Sequence, residues 1–187
     1  AIRLASRVAA VERRGDRFAL GAEAFDRVVI ATAPQHAAPL LRAHPETAAL
    51  GRMLADYRHE PIGTVFAGYP AAVRLPFPML GLDNGTPGRL GQWAFDRGRL
   101  CATPGVLAFV LSGEGAWMQR ENPQLAAALH LELEAALGET LPAPLWHQVI
   151  RERRAAFSCR PCLPRPAGRT AVEGLWLAGD HVCADYP

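Results

Sequence analysis

The feature that most constrains the fold of this chain is the stretch from Gly174 to Asp180, which reads Gly-Leu-Trp-Leu-Ala-Gly-Asp. An apolar run of strand length is followed by a Gly-Asp pair, which predicts a buried strand with one carboxylate at its carboxyl end. Open α/β sheets bind their ligands at such strand ends. Gly179 lets a ligand approach the main chain, and Asp180 can accept two hydroxyl hydrogen bonds or cap a following helix. The stretch predicts a site for a hydroxyl-rich ligand; the alternative is a core strand that ends in an ordinary turn.

A second buried strand is predicted from Phe25 to Pro34, and it ends in small residues and a proline. The small side chains of Ala31 and Thr32 allow another backbone or a flat ligand to come close, whereas Pro34 ends the hydrogen-bond ladder. Ligand approach and simple packing both remain open for this strand end. Before it, residues 2–20 alternate as strands do on either side of a turn at 13–16, which predicts a hairpin.

The middle of the chain predicts a sheet with a few helices. The run at 106–111 is apolar throughout, which favours a central strand. The fold class is therefore α+β or α/β, with a mixed-sheet domain inserted between two pieces of another domain. Helical spacing covers 46–57. A second helix is predicted between an N-cap at Asn122 and Gly138, with Pro123 as its first residue and a stripe of leucines along one face. Strands are predicted at 62–69, 91–95, 106–111 and 146–157, and an irregular apolar loop at 75–80. The predicted domain pieces are residues 1–34, 35–157 and 158–187.

Composition excludes several classes of protein. The 187 residues are 50% hydrophobic, enough for a sizeable core, and the net charge is +2 with scattered basic residues. The basic residues form neither the cluster that is typical of nucleic-acid binding nor a polybasic membrane patch. No apolar run approaches the roughly 20 residues that span a bilayer, and the first residues show no signal-peptide pattern, so we expect a cytoplasmic protein. Because the chain starts without an initiator Met and stops just after its best motif, we expect a piece of a longer protein.

The cysteines and histidines offer no metal site. Cys159 and Cys162 have the spacing of a redox dithiol or of half a zinc site. A structural zinc site usually needs a second pair, and a redox dithiol usually lies at a helix N-terminus, whereas Leu163-Pro164-Arg165-Pro166 follows here. We expect reduced cysteines in a loop. The six histidines are dispersed, and no two have ligand spacing on a helix.

Taken together, these motifs resemble the flavin-containing amine oxidases and, more closely, the hydroxysqualene dehydroxylases, also called squalene-associated FAD-dependent desaturases. The resemblance covers nearly the whole chain, and its most specific block is Gly-Gln-Trp-Ala-Phe-Asp-Arg-Gly at 91–98. The Gly-Asp end alone fits any flavin amine oxidase. The other matching blocks are residues 60–65, 144–146, 153–157, 177–180 and 184–187.

The resemblance implies an FAD site. Val8 matches the position whose main chain faces the adenine, and Ala31 and Thr32 match a strand end that approaches the cofactor. Gly179 and Asp180 match the pair at the ribityl and pyrophosphate region. Tyr186 leads into a helix that closes over the flavin. The Gly-rich dinucleotide loop of the family is not in these residues, so we expect FAD in the parent protein and do not expect the isolated chain to retain it.

The implied reaction is the reductive dehydroxylation of hydroxysqualene to squalene in hopanoid biosynthesis. Loss of the hydroxyl leaves a stabilised cation, and the flavin delivers a hydride. Phe77, Trp93 and Phe95 are candidates for lining the pocket of this isoprenoid lipid, with plain core packing as the alternative. The resemblance identifies no catalytic residue; Asp96 could act as an acid or could be a turn residue.

Two other functions remain open. One is another flavin enzyme of this fold, of the carotenoid desaturase, phytoene desaturase or protoporphyrinogen oxidase type. The other is a non-catalytic module that binds lipid or protein. We also expect peripheral contact with the inner face of a membrane. An apolar face exposed by truncation leads us to expect homo-oligomers of the isolated chain.

Overall fold

The computed structural model describes residues 2–182, which form two compact units. The first unit contains residues 2–58 and 157–182, and the second contains His59–Ala156. In chain order, the strands are β1 (Glu12–Arg14), β2 (Arg17–Leu20), β3 (Glu23–Phe25), β4 (Val28–Ile30), β5 (His59–Gly68), β6 (Met79–Gly81), β7 (Trp93–Asp96), β8 (Val106–Ser112), β9 (Trp146–Phe157) and β10 (Leu175–Leu177). The α-helices are α1 (Pro34–Leu40), α2 (Ala48–Ala55), α3 (Arg97–Cys101) and α4 (Asn122–Leu137).

The first unit holds a small antiparallel sheet in the order β1-β2-β3. Its first turn contains Gly15, whose φ of 65° suits glycine, and Phe18 pairs with Phe25 across β2 and β3. The predicted hairpin is confirmed only from residue 12 onward. Residues 2–11 form no strand, and the third strand, β3, was not predicted.

Strands β4 and β10 form a separate parallel pair, with Val28 opposite Leu175 and Ile30 opposite Leu177. The helices α1 and α2 pack with this pair in one apolar core. Residues 35–58 therefore belong to the first unit, whereas the sequence analysis assigned them to the middle domain. The core residues of this part are Ala37 and Ala38 of α1, Leu41 at its C-cap and Leu54 of α2.

Two helical segments of the first unit begin with a proline, a residue that is favoured at the first helical position. Pro34 opens α1, and Pro45 opens a 3-10 turn that leads into α2, so the helix predicted at 46–57 is shorter than expected. The helix predicted between Asn122 and Gly138 is confirmed, and Gly138 ends it with a φ of 71°. Asn122 is the first helical residue, however, and Glu121 takes the N-cap position without a side-chain hydrogen bond.

The second unit is a five-stranded sheet in the order β6-β7-β8-β5-β9. The central place predicted for the 106–111 strand is confirmed, and β6 and β9 form the two edges. Helix α4 covers one face of the sheet, where Leu125, Leu129 and Leu133 pack against Val65 and Phe109. The predicted leucine stripe is therefore core. The short strand β6 lies where an irregular loop was expected.

No helix among residues 2–182 is long and apolar enough to cross a membrane.

Candidate functional site

The parallel pairing of β4 and β10 brings two predicted site segments together. The main-chain N–H of Val28 donates to Gly174 at one end of the pair, and that of Ala178 donates to Ile30 at the other, both at 2.9 Å. Because parallel strands end at the same edge of a sheet, the residues that follow β4 and β10 are neighbours. We call Ala31, Thr32, Gly179 and Asp180 the carboxyl edge.

All four residues of the carboxyl edge are exposed. Gly179 has a φ of 142°, a conformation that residues with a Cβ rarely adopt. A Cβ at this position would lie 2.8 Å from the Cε1 and Nδ1 atoms of His181. Both the backbone conformation and the available space therefore require glycine at position 179.

His181 is a residue of this site that the sequence analysis did not single out. The residue is 1% exposed, and neither ring nitrogen has a hydrogen-bond partner among residues 2–182. The Asp180 carboxylate accepts the main-chain N–H of His181 at 2.9 Å and lies 3.7 Å from Nδ1. Burial lowers the pKa of the imidazole, and Asp180 partly opposes that shift. The sequence feature that could have identified His181 is its position directly after Gly179 and Asp180.

Val8 lies on a cavity of about 680 Å³ within the first unit. Its side chain is 42% exposed, and it belongs to the irregular segment before β1. Arg3 pairs with Glu23 among the residues of this cavity. The cavity thus combines apolar surface with arginines that can meet an anion. Its lining residues are Arg3, Ser6, Arg7, Val8, Ala9, Ala10, Glu12, Arg14, Leu20, Gly21, Glu23 and Phe25.

The predicted pocket residues Trp93 and Phe95 lie on the sheet face opposite α4. The register aligns Met79, Phe95, Ala108 and Phe66 across four strands in one row, and Gly81, Trp93, Val110 and Thr64 in the next. Directly opposed residues share a face, so the two rows form one apolar surface. Trp93 is 43% exposed and Met79 is 47% exposed. We call Phe66, Met79, Trp93, Phe95 and Val110 the open sheet face.

Phe77 does not lie in these rows. It occupies the bend before β6 and is 64% exposed. The structure thus brings Trp93 and Phe95 together and leaves Phe77 outside the sheet. Tyr186 lies outside the described residues, as do Cys183 and Pro187.

Asp96 is a structural residue in this fold. Its side chain is 1% exposed and caps α3: Oδ1 accepts the N–H of Arg99 and Oδ2 accepts the N–H of Leu75, both at 3.1 Å. Both carboxylate oxygens are therefore occupied. Asp96 ends β7 and caps a helix, so its role is structural, but the turn expected at this position from the sequence is absent.

A hydrogen-bonded group of titratable side chains lies between β5 and α4. The Tyr69 hydroxyl is 3.1 Å from Nδ1 of His130, whose Nε2 is 3.6 Å from the Glu134 carboxylate. Burial, reinforced by Glu134, raises the pKa of Tyr69 to about 12. Glu134 also accepts the N–H of Leu141 at 2.8 Å, which fixes the carboxylate to its own helix end. The sequence analysis did not predict this group, because its members are far apart in the chain.

Comparisons with solved structures find proteins of similar fold, whereas the sequence comparisons find none. No family model matches the sequence. No curated protein matches it either. Among solved structures, a protein from Exiguobacterium sp. 255-15 described as a protoporphyrinogen oxidase superposes with a TM-score of 0.64 at 16% identity over 93% of this chain. An oxidoreductase from Methanosarcina mazei gives 0.57 at 15% over 93%, and the cyclohexylamine oxidase of Brevibacterium oxydans IH-35A gives 0.62 at 16% over 95%.

The chain spans 41%, 43% and 43% of these three structures, respectively. At these identities the likeness concerns the fold alone. The mixed helix-and-sheet architecture predicted from the sequence is therefore confirmed at that level, as the fold of oxidoreductase structures.

Proposed function

We propose that this chain is part of an FAD-dependent oxidoreductase and that the carboxyl edge meets the ribityl and pyrophosphate region of the cofactor. The parallel pairing of β4 and β10 carries the proposal, because it joins two strand ends at the place where α/β sheets bind nucleotides. Resemblance to flavin amine oxidases and structural likeness to oxidoreductases support the same assignment.

The residues of the carboxyl edge fit such a cofactor. Gly179 exposes bare main chain, and the exposed Asp180 carboxylate can accept hydrogen bonds from hydroxyl groups. Ala31 and Thr32 add no charge and little bulk to the edge. Val8 would contact the adenine with its main chain, in a cavity large enough for a ring system. When bound, FAD would supply hydride transfer.

For the substrate, we propose hydroxysqualene, reduced to squalene. The open sheet face offers the apolar surface that a long isoprenoid chain requires. The indole of Trp93 and the ring of Phe95 lie in neighbouring rows of that face. Aromatic faces attract cations, so these two rings would stabilise the positive charge left when the hydroxyl departs, and the apolar surface would exclude water from it.

A second candidate is an oxidase acting on a porphyrin-like substrate. It is favoured by the likeness to the Exiguobacterium protein, whose description names protoporphyrinogen oxidase. A flat macrocycle would also fit against the exposed indole of Trp93. A module that binds lipid without chemistry would use the same face and would need no flavin.

The cofactor is tested on the full-length protein that contains this chain. We expect visible flavin absorption in the purified protein. Replacing Asp180 by Asn removes a charged acceptor and should weaken FAD binding about ten- to a hundredfold. Asp16→Asn, in the exposed first turn of the hairpin, is the matched control and should bind FAD normally. A colourless wild-type protein that does not take up added FAD would exclude the flavoenzyme proposal.

The substrate is tested by anaerobic incubation of the reduced protein with hydroxysqualene. We expect squalene to appear as the flavin absorption returns. Trp93→Ala should slow turnover while leaving FAD bound. A flavin that stays reduced in the presence of hydroxysqualene would reject this substrate and keep the flavoenzyme assignment. Oxidation of protoporphyrinogen by the oxidised protein would favour the second candidate.

A further inference from the structure

Cys159 and Cys162, which are close in the sequence, lie in one exposed loop of the first unit. Cys159 and Cys162 are both free and exposed, and both follow the end of β9 at Phe157. The main-chain N–H of Leu163 donates to Arg160 at 3.2 Å, which closes a turn over residues 160–163. Pro161 and Cys162 are the two central residues of that turn. Both thiols are therefore accessible to a small reagent.

Cys162 has a φ of 58°. In a turn with proline first and a left-handed residue second, that second position normally holds glycine or asparagine, since a Cβ is unfavourable there. The chain thus holds a cysteine in a conformation that its side chain disfavours.

A fixed cation contacts the other cysteine. The Arg165 guanidinium stacks on the ring of Phe157 at 5.1 Å, and its Nη2 is 3.7 Å from the Cys159 sulfur. The Tyr57 ring lies 5.6 Å from the Phe157 ring, and its hydroxyl donates to Pro164 at 2.6 Å, so the segment that carries Arg165 is anchored. A redox dithiol usually takes its positive field from a helix N-terminus; here the Arg165 guanidinium is the cation that contacts the Cys159 sulfur.

We propose that Cys159 and Cys162 form a thiol–disulfide exchange site, with Cys159 as the nucleophile and Cys162 as the resolving thiol. The co-reactant is a small disulfide such as oxidised glutathione. The Cys159 thiolate attacks one glutathione sulfur, forms a mixed disulfide and releases the first glutathione thiolate. Cys162 loses its proton, attacks the Cys159 sulfur and releases the second. Two protein thiols are oxidised, one glutathione disulfide is reduced, and the two protons are taken up by the two released thiolates.

This site is independent of the flavin proposed above. It needs no cofactor, and its chemistry is complete with two cysteines and an external disulfide.

The test follows alkylation and oxidation by mass spectrometry. Trypsin does not cleave before proline, so one peptide, residues 155–169, contains both cysteines, and Cys101 on another peptide is an exposed internal reference. In the reduced full-length protein near neutral pH, we expect iodoacetamide to modify Cys159 about tenfold faster than Cys101. With oxidised glutathione, the 155–169 peptide should lose two hydrogens and become unreactive.

Three variants separate the roles. Arg165→Gln should slow Cys159 to about the rate of Cys101, whereas Arg160→Gln, in the same loop, should not. Cys162→Ser should accumulate the glutathione mixed disulfide on Cys159. The proposal is overturned if Cys159 reacts no faster than Cys101 in the wild type, or if oxidised glutathione yields no bond between Cys159 and Cys162.

Discussion

We predict that the buried carboxylate of Glu132 holds the start of β7, and with it part of the open sheet face, in place. Glu132 lies on α4 and is 7% exposed. Its Oε1 accepts the N–H of Leu90 at 2.8 Å, and its Oε2 accepts that of Gly91 at 2.7 Å. These two residues lead directly into β7, which carries Trp93. The helix therefore fixes the start of that strand through one carboxylate.

Replacing Glu132 by Gln keeps the shape and leaves one acceptor for two donors. The amide NH₂ must then face a main-chain N–H, so one buried donor loses its partner, which costs about 1–3 kcal/mol. For a urea m-value of about 2 kcal/mol per molar, the unfolding midpoint should fall by about 0.5–1.5 M.

The assay is urea unfolding followed by tryptophan fluorescence. Of the four tryptophans, three lie in the second unit, so the measurement uses a Trp176→Phe background in which only that unit reports. Glu114→Gln, on an exposed loop, is the matched control and should change stability by less than about 0.5 kcal/mol. An equally small effect of Glu132→Gln would refute the structural role of this carboxylate.

Three further predictions concern pH and packing. The pKa of Tyr69 is raised to about 12, above the value of about 10 in an unfolded chain. Its contribution to stability is thus present below pH 10 and lost as the pH rises toward 12, and Tyr69→Phe should flatten that loss in thermal unfolding. Burial lowers the pKa of His181 below its ordinary 6.5. Stability should therefore fall as the pH drops through the folded pKa, and His181→Gln should remove this acid dependence. A Cβ at Gly63 would meet Trp117 at 2.5 Å, so Gly63→Ala should cost about 1–3 kcal/mol, whereas Gly51→Ala in α2 meets nothing closer than 3.6 Å and should gain about 0.5–1 kcal/mol.

Each of these predictions has a contrary outcome. Equal alkaline slopes for the wild type and Tyr69→Phe would show that another group titrates there. An imidazole NMR titration of His181 at or above 6.5 would contradict the effect of burial. Equal unfolding midpoints for Gly63→Ala and the wild type would mean that the Trp117 ring moves away at no cost.

Much of the fold follows from local sequence signals. The strand 146–157 has the predicted limits, and the helix α4 starts one residue before the predicted Pro123 and ends as predicted, because an Asn-Pro start and a Gly stop are strong signals. The short β3 and β6 were missed, since three residues give no period to detect. The place of α1 and α2 in the first unit depends on packing against β4 and β10, which the local pattern does not contain.

The parts of the candidate site that follow a predicted strand could be identified from the sequence. Gly179 and Asp180 follow β10 and Ala31 follows β4, so each segment was identifiable alone, but only the parallel register places them at one edge. His181 and Glu132 were missed, because a buried histidine and a buried glutamate look like surface residues in a sequence. Arg165 was seen only as part of a proline-rich loop, and its contact with Cys159 requires the fold.

The twelve-residue strand β9 at the edge of the five-stranded sheet has a consequence for the behaviour of the chain in concentrated solution. An exposed edge of this length is a template onto which a second molecule can add a strand and begin to aggregate. Here Glu152, Arg153 and Arg154 are consecutive exposed charges on the strand, and they alternate between its two faces. Any copy that paired with this edge would have to desolvate these charges, so the run protects the strand from growing into a fibre. A variant that neutralised it would keep the fold and lose that protection.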